Sequence, residues 1–285
     1  MSSVIVSFDS GTQFVGENLE VISPQSEENI IRVLFDESES VPADENELEM
    51  SDAPVAGLES GTSVTIVGGA LNDDINLGVA GASTVLGLDG NDSIMGGIRH
   101  DLIDGGDDHD LLQGGMGNDI IKGGFGDDDI MGNEGNDIIK AGVGNDTISG
   151  GLGNDLIEGG LGNDSIMGGR GLDTMKGGAG NDTIIGGVAN NTIVGGSGAD
   201  VLEGGFGSDV FEFNANEFES ADTVDEITDF VRIDDAIRIS GVGAEGVSYD
   251  ATTGIISVDG VEAIDVGEGR NLTELDFGDG EWEIF

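Results

Sequence analysis

The chain has no cysteine among its 285 residues. That excludes a disulfide framework and any thiolate metal site. Basic residues are nearly as scarce. Nine Lys plus Arg stand against 58 Asp plus Glu, for a formal net charge of -49. Nucleic acid and anionic membrane surfaces need Lys and Arg, so neither is expected as a partner. No apolar run reaches 18 residues, the length read as a membrane span. The start, MSSVIVSFDS, carries no basic residue, and the first is Arg32, so no cleaved N-terminal signal peptide is expected. There is no HExxH and no GxSxG. The two histidines, His100 and His109, lie inside repetitive sequence, which leaves no plausible Ser-His-Asp arrangement. The expectation is a protein that is not an enzyme.

What is present is acid, glycine and periodicity. The length fits one or two domains. A charge of this size makes a bare compact state repel itself and calls for a cation. Residues 1–60 read as a small β segment, with apolar runs Val4 to Phe8 and Ile30 to Phe35, followed by an acidic linker carrying Pro42 and Pro54. Residues 61–86 read as degenerate capping repeats, 87–212 as a regular array, and 213–285 as a C-terminal β cap. Asp259-Gly260, between IISV and VEAI, is a type I′ hairpin signal. No stretch has the pattern of a long amphipathic helix, so the chain is read as all-β.

The array has a period of nine. Stepping from Asp92 gives Asp101, Asp110, Asp119, Asp128, Asp137, Asp146, Asp155, Asp164, Asp173, Asp182, Asn191, Asp200 and Asp209. Two residues after each stands an apolar residue, from Ile94 to Phe211. Five residues before each stands Gly, with Ala141 the exception. Counting that glycine as position one, the acid is position six and the apolar residue position eight. Glycines at one, two and four allow positive φ and turned carbonyls. The acid sets a carboxylate beside those carbonyls. The apolar residue points inward from a three-residue strand, with seven and nine outward. Two units make an eighteen-residue coil with a strand and a turn on each side, and stacked coils pair in parallel. Ile66, Ile75 and Val85 continue the aliphatic ladder upstream with a one-residue slip.

These nonapeptides resemble the RTX family, the haemolysin-type calcium-binding repeats with consensus GGxGxDxUx. DVFEF, EITDF and DDAIRIS further on resemble the tail of such proteins. The resemblance implies a parallel β-roll with Ca²⁺ between turns one coil apart, for example between Asp146 and Asp164 or Asp155 and Asp173. The metal ligands it implies are the thirteen acids of the series, Asp92 through Asp209, and up to about twelve ions. Residues 87–212 hold 23 acids and 5 bases, and calcium would cancel that excess. Carbonyl and carboxylate oxygens suit Ca²⁺, with six to eight ligands at roughly 2.3–2.6 Å. They do not suit Zn²⁺, which prefers nitrogen and sulfur. The sites that share Asn191 are expected to be weak. His100 and His109 are expected to be turn-surface residues.

The resemblance further implies an extracellular protein, secreted by a type I machinery that reads a signal within 213–285 and folding where calcium is plentiful. A structural, matrix or surface role is one reading. The alternative is an extracellular polysaccharide-binding module resembling those beside alginate epimerases. One outer face raises self-assembly: position seven on alternate units runs Leu102, Ile120, Ile138, Leu156. An apolar strip of this kind calls for a cover, either the protein's own end segments or another chain.

Overall fold

Two apolar side chains eighteen residues apart cannot both be buried by one nonapeptide, and the fold solves this by stacking. In the computed structural model, position eight of every repeat unit is buried, from Ile94 at 1 % exposure to Phe211 at 0 %. The structure describes residues 63–70, 72–78, 82–218, 224–231, 234–242 and 246–267. It also describes the strands Val4–Ser7, Gln13–Gly16, Leu19–Ile22, Ile30–Phe35, Glu274–Asp276 and Trp282–Ile284. The chain divides into two units, Met1–Gly142 and Val143–Phe285.

In the first unit, Leu19–Ile22 pairs antiparallel with Ile30–Phe35, which runs parallel to Ser63–Val67. Thr84–Asp89, Leu102–Asp107 and Ile120–Phe125 then add in parallel. A second parallel ladder is formed by Asp74–Asn76, Ser93–Gly97, Leu111–Met116 and Asp129–Glu134. Ile66, Ile75 and Val85 are each at most 1 % exposed and extend the buried aliphatic column upstream.

The second unit repeats the plan. One ladder stacks Thr147–Leu152, Ser165–Arg170, Thr183–Val188 and Val201–Phe206 in parallel. The other stacks Leu156–Leu161, Thr174–Ala179, Thr192–Ser197 and Val210–Asn214. Non-repetitive sequence continues both: Asp225–Ile227 joins the first and Ala236–Ser240 the second, each in parallel. Antiparallel strands finish the unit. Ile255–Val258 and Val261–Asp265 form the hairpin expected at Asp259-Gly260, whose φ values of 49° and 83° are both positive, as a type I′ turn requires. Phe211 and Phe230, with ring centroids 6.4 Å apart, close the repeat core against the tail.

Among the described residues the fold is all-β, a parallel β-roll in each unit. Helix is confined to one 3₁₀ turn, Ala215–Glu217. One local expectation is corrected. From Leu102–Asp107 to Val201–Phe206 the repeat strands are six residues long, not three, and run from position seven to position three of the next nonapeptide. Position one therefore sits inside the strand, and in Leu111–Met116 the exposure alternates so that positions eight and one both face inward. Glycine lacks a side chain to pack there, and the reason for it lies in the neighbouring coil.

Candidate metal centre

Each turn places its position-six carboxylate in the same setting. The strand that follows begins one residue later, and the main-chain carbonyl of the acid accepts the N–H of position seven in the next coil, as in Thr183 N–H to Asp164 O at 2.8 Å. The side chain is thereby drawn under the turn. All thirteen acids of the series are 4 % exposed or less, and Asn191 is 1 % exposed. One carboxylate oxygen, Oδ1, accepts the backbone N–H of the residue eighteen positions earlier. Asp92 N donates to Asp110 Oδ1 at 2.8 Å, Asp146 N to Asp164 Oδ1 at 2.9 Å, and Asp164 N to Asp182 Oδ1 at 2.8 Å. The carboxylates thus form hydrogen-bonded columns with an eighteen-residue step.

The second oxygen is different. Oδ2 of Asp92, Asp101, Asp110, Asp119, Asp164, Asp173, Asp182, Asp200 and Asp209 is buried and has no hydrogen-bond partner. Leaving a buried charged acceptor bare is costly. Burial accordingly pushes these carboxyls upward: Asp92, Asp101 and Asp182 to about 7, and Asp110, Asp119, Asp200 and Asp209 to about 6. Neighbouring acids add to the rise, as Asp200 and Asp164 do for Asp182. A proton relieves that situation, and so does a cation.

The missing Cβ of position one makes the room. A Cβ on Gly159 would collide with Asp164 Oδ2 and stand 2.7 Å from the carbonyl oxygen of Gly177 in the next coil. The same pair of oxygens crowds Gly87, Gly114 and Gly177. Position one does not have a positive φ; positions two and four do, for example Gly160 at 125° and Gly162 at 131°. Glycine at one is therefore required by close approach, and glycine at two and four by backbone conformation. Where positions two and four lack glycine, Leu88, Asn133, Asp108 and Ala189 still take positive φ, and Arg99 does not.

A carboxylate oxygen with no donor, set beside a backbone carbonyl of the next coil, is a hard-oxygen environment that fits Ca²⁺. Among the described residues no three His, Cys, Asp or Glu side chains converge as a metal cluster. The acids stand one per turn, so an ion between coils takes the rest of its oxygens from the backbone. His100 and His109 are exposed on turns, as expected.

Position five has a task that sequence reasoning missed. Asn163 Oδ1 accepts the N–H of Asn181 at 2.7 Å, and Asn181 Oδ1 that of Ala199 at 2.9 Å. A second ladder of side-chain acceptors thus runs beside the acids. His100 and His109 stand in it, each Nδ1 accepting an N–H at 2.6 and 2.7 Å from Asn118 and Asp127. The recurring Asn before the acid, from Asn91 to Asn190, was the available signal.

Of the two covers expected for the apolar strip, the end segments lie partly outside the described residues. Leu102, Ile120, Ile138 and Leu156 are 42, 49, 38 and 48 % exposed, so no described segment of the chain covers them.

Comparison with known families agrees with the geometry. The family model described as RTX calcium-binding nonapeptide repeat (4 copies) matches residues 77–112, 86–121, 95–130, 122–157, 158–193 and 185–215. No curated protein matches the chain. RTX nonapeptide repeats bind Ca²⁺, and the stacked acids fit multiple calcium sites. Residues 77–215 of this chain are RTX calcium-binding nonapeptide repeats.

Proposed function

We propose that this is a secreted calcium-binding protein that folds on Ca²⁺ outside the cell and serves a structural, matrix or surface-associated role without catalysis. The ligands are the position-six acids, Asp92 through Asp209, each completed by backbone carbonyls. The observation that carries the reading is the row of buried Oδ2 atoms without a donor. Nine such atoms in one fold are a standing cost unless something positive sits among them. Ca²⁺ that binds the folded roll and not the open chain shifts the equilibrium toward folding by mass action. Glycine adds to the cost of folding without the ion, because it loses the most backbone freedom. Low cytosolic calcium keeps the chain open for export through a type I pathway, and millimolar calcium outside closes it. Far-UV circular dichroism of the full chain in EGTA and in millimolar CaCl₂ tests this. Strong β signal only in calcium is expected, and equal β content in both would end the proposal. For export, removal of residues 226–285 is expected to abolish secretion from a host with the cognate transporter; unimpaired export would reject that part.

A further inference from the structure

The acid column does not stop where the nonapeptides stop. Three acids outside the regular series take the same place in the ladder. Upstream, Asp73 N donates to Asp92 Oδ1 at 2.8 Å. Downstream, Asp225 Oδ1 accepts the N–H of Asp200 at 2.9 Å, and Asp235 Oδ1 that of Asp209 at 3.0 Å. Strand register agrees, since Val201 pairs with Glu226 and Val210 with Ala236. The last coil therefore spans 25 and 26 residues instead of eighteen, and nonapeptide spacing cannot reveal it.

The three acids differ at Oδ2. In Asp73 it accepts the N–H of Gly69 at 2.8 Å, and in Asp235 the N–H of Val231 at 2.6 Å. Both ends are closed by a local hydrogen bond four residues back. Asp225 is 0 % exposed, and its Oδ2 has no partner. Asp200, directly before it in the ladder, is 1 % exposed with Oδ2 equally bare. Asp225 thus has the state of a repeat acid, although it lies outside residues 77–215.

The surroundings add negative charge. Glu217, capping the 3₁₀ turn from Asn214, acts electrostatically on both Asp200 and Asp225. Lys176 offsets part of the Glu217 charge.

We propose that the step from Asp200 to Asp225 holds one further Ca²⁺, bound by these two carboxylates and by backbone oxygens, with the negative charge of Glu217 strengthening its hold. The ion fastens the non-repetitive segment 224–230 to the last repeat strand. This rests on calcium binding by the repeats.

The test counts ions. Native mass spectrometry of the full chain in saturating Ca²⁺ compares the wild type with Asp225→Asn and Glu217→Gln. Asn is compatible with this position: Asn191 Oδ1 accepts the N–H of Asp173 at 3.0 Å, and its Nδ2 donates to Ala189 O at 3.1 Å. Asp225→Asn is expected to carry one ion fewer. Glu217→Gln retains the cap on Asn214 and is expected to reach the full count, with its last ion binding roughly tenfold more weakly, the equivalent of about 1.4 kcal/mol. A wild-type ion count in Asp225→Asn overturns the proposal, and an unchanged last affinity in Glu217→Gln overturns the role of Glu217. A wild type that binds no calcium at all defeats the reading of the repeats instead.

Discussion

Replacing Asp182 by Asn tests whether the roll needs a cation. Asp182 is 1 % exposed, its Oδ1 accepts the Asp164 N–H at 2.8 Å, and its Oδ2 accepts nothing. Burial pushes its carboxyl from 3.8 to about 7, with the Asp164 N–H pulling back and the Asp200 and Asp164 charges adding to the rise. A shift of that size corresponds to about 4 kcal/mol against the charged form. In the unfolded chain the carboxyl returns to its ordinary value, so between 3.8 and about 7 the folded state binds a proton that the unfolded state has released. The calcium-free roll is therefore most stable below the lower value, weakens as pH rises, and carries the whole cost above the higher one. Asp92 and Asp101 are raised to the same level. A few such groups reach the roughly 5–15 kcal/mol that holds an ordinary domain together. Asn at 182 keeps an acceptor for the Asp164 N–H and deletes the charge. In EGTA at about pH 8 the variant is expected to gain up to about 4 kcal/mol over the wild type, with the gain vanishing near pH 4. In saturating calcium the order reverses, because a ligand has been lost. Thermal unfolding followed by far-UV circular dichroism reads all three conditions. A variant less stable than the wild type in EGTA at both pH values would refute the reasoning.

Three further outcomes follow from the same geometry. Gly159→Ala drives a Cβ against Asp164 Oδ2 and Gly177 O, and is expected to cost about 1–3 kcal/mol of calcium-saturated stability; an unchanged melting temperature in calcium would show that position one has room to spare. Asn191→Asp restores the acid missing from the series, and calorimetric titration is expected to show tighter calcium binding at the sites shared with Asp173 and Asp209, alongside weaker folding in EGTA; identical isotherms would mean that the carboxylate at this position is not a ligand. Ile120→Asp alters a side chain that is 49 % exposed, so the calcium-saturated monomer should change by no more than about 0.5 kcal/mol. Loss of oligomers in light scattering with stability intact would mark this face as a self-assembly surface, and a large fall in monomer stability would contradict the exposure.

The nonapeptide period determined most of this protein by itself. Acid at six and an apolar residue at eight, repeated in register from Asp92 to Asp209 with Asn191 the one break, required stacked coils with two sheets and one buried apolar side chain per unit, because no single unit can bury its own apolar residue. The acidic excess required a cation. The Asp259-Gly260 dipeptide specified its hairpin because only such residues accept two successive positive φ values cheaply. Other features depended on contacts between residues far apart in sequence. Glycine at position one makes room for its own unit's carboxylate and for a carbonyl oxygen of the next coil, and the second of these is invisible in any single unit, since that oxygen belongs to a chain segment eighteen residues on. The task of the position-five side chains, shared by Asn163 and His100, is likewise set by a donor one coil away. Asp225 shows the limit most plainly. Its spacing of 25 from Asp200 breaks the period, and only strand pairing in three dimensions returns it to the acid column.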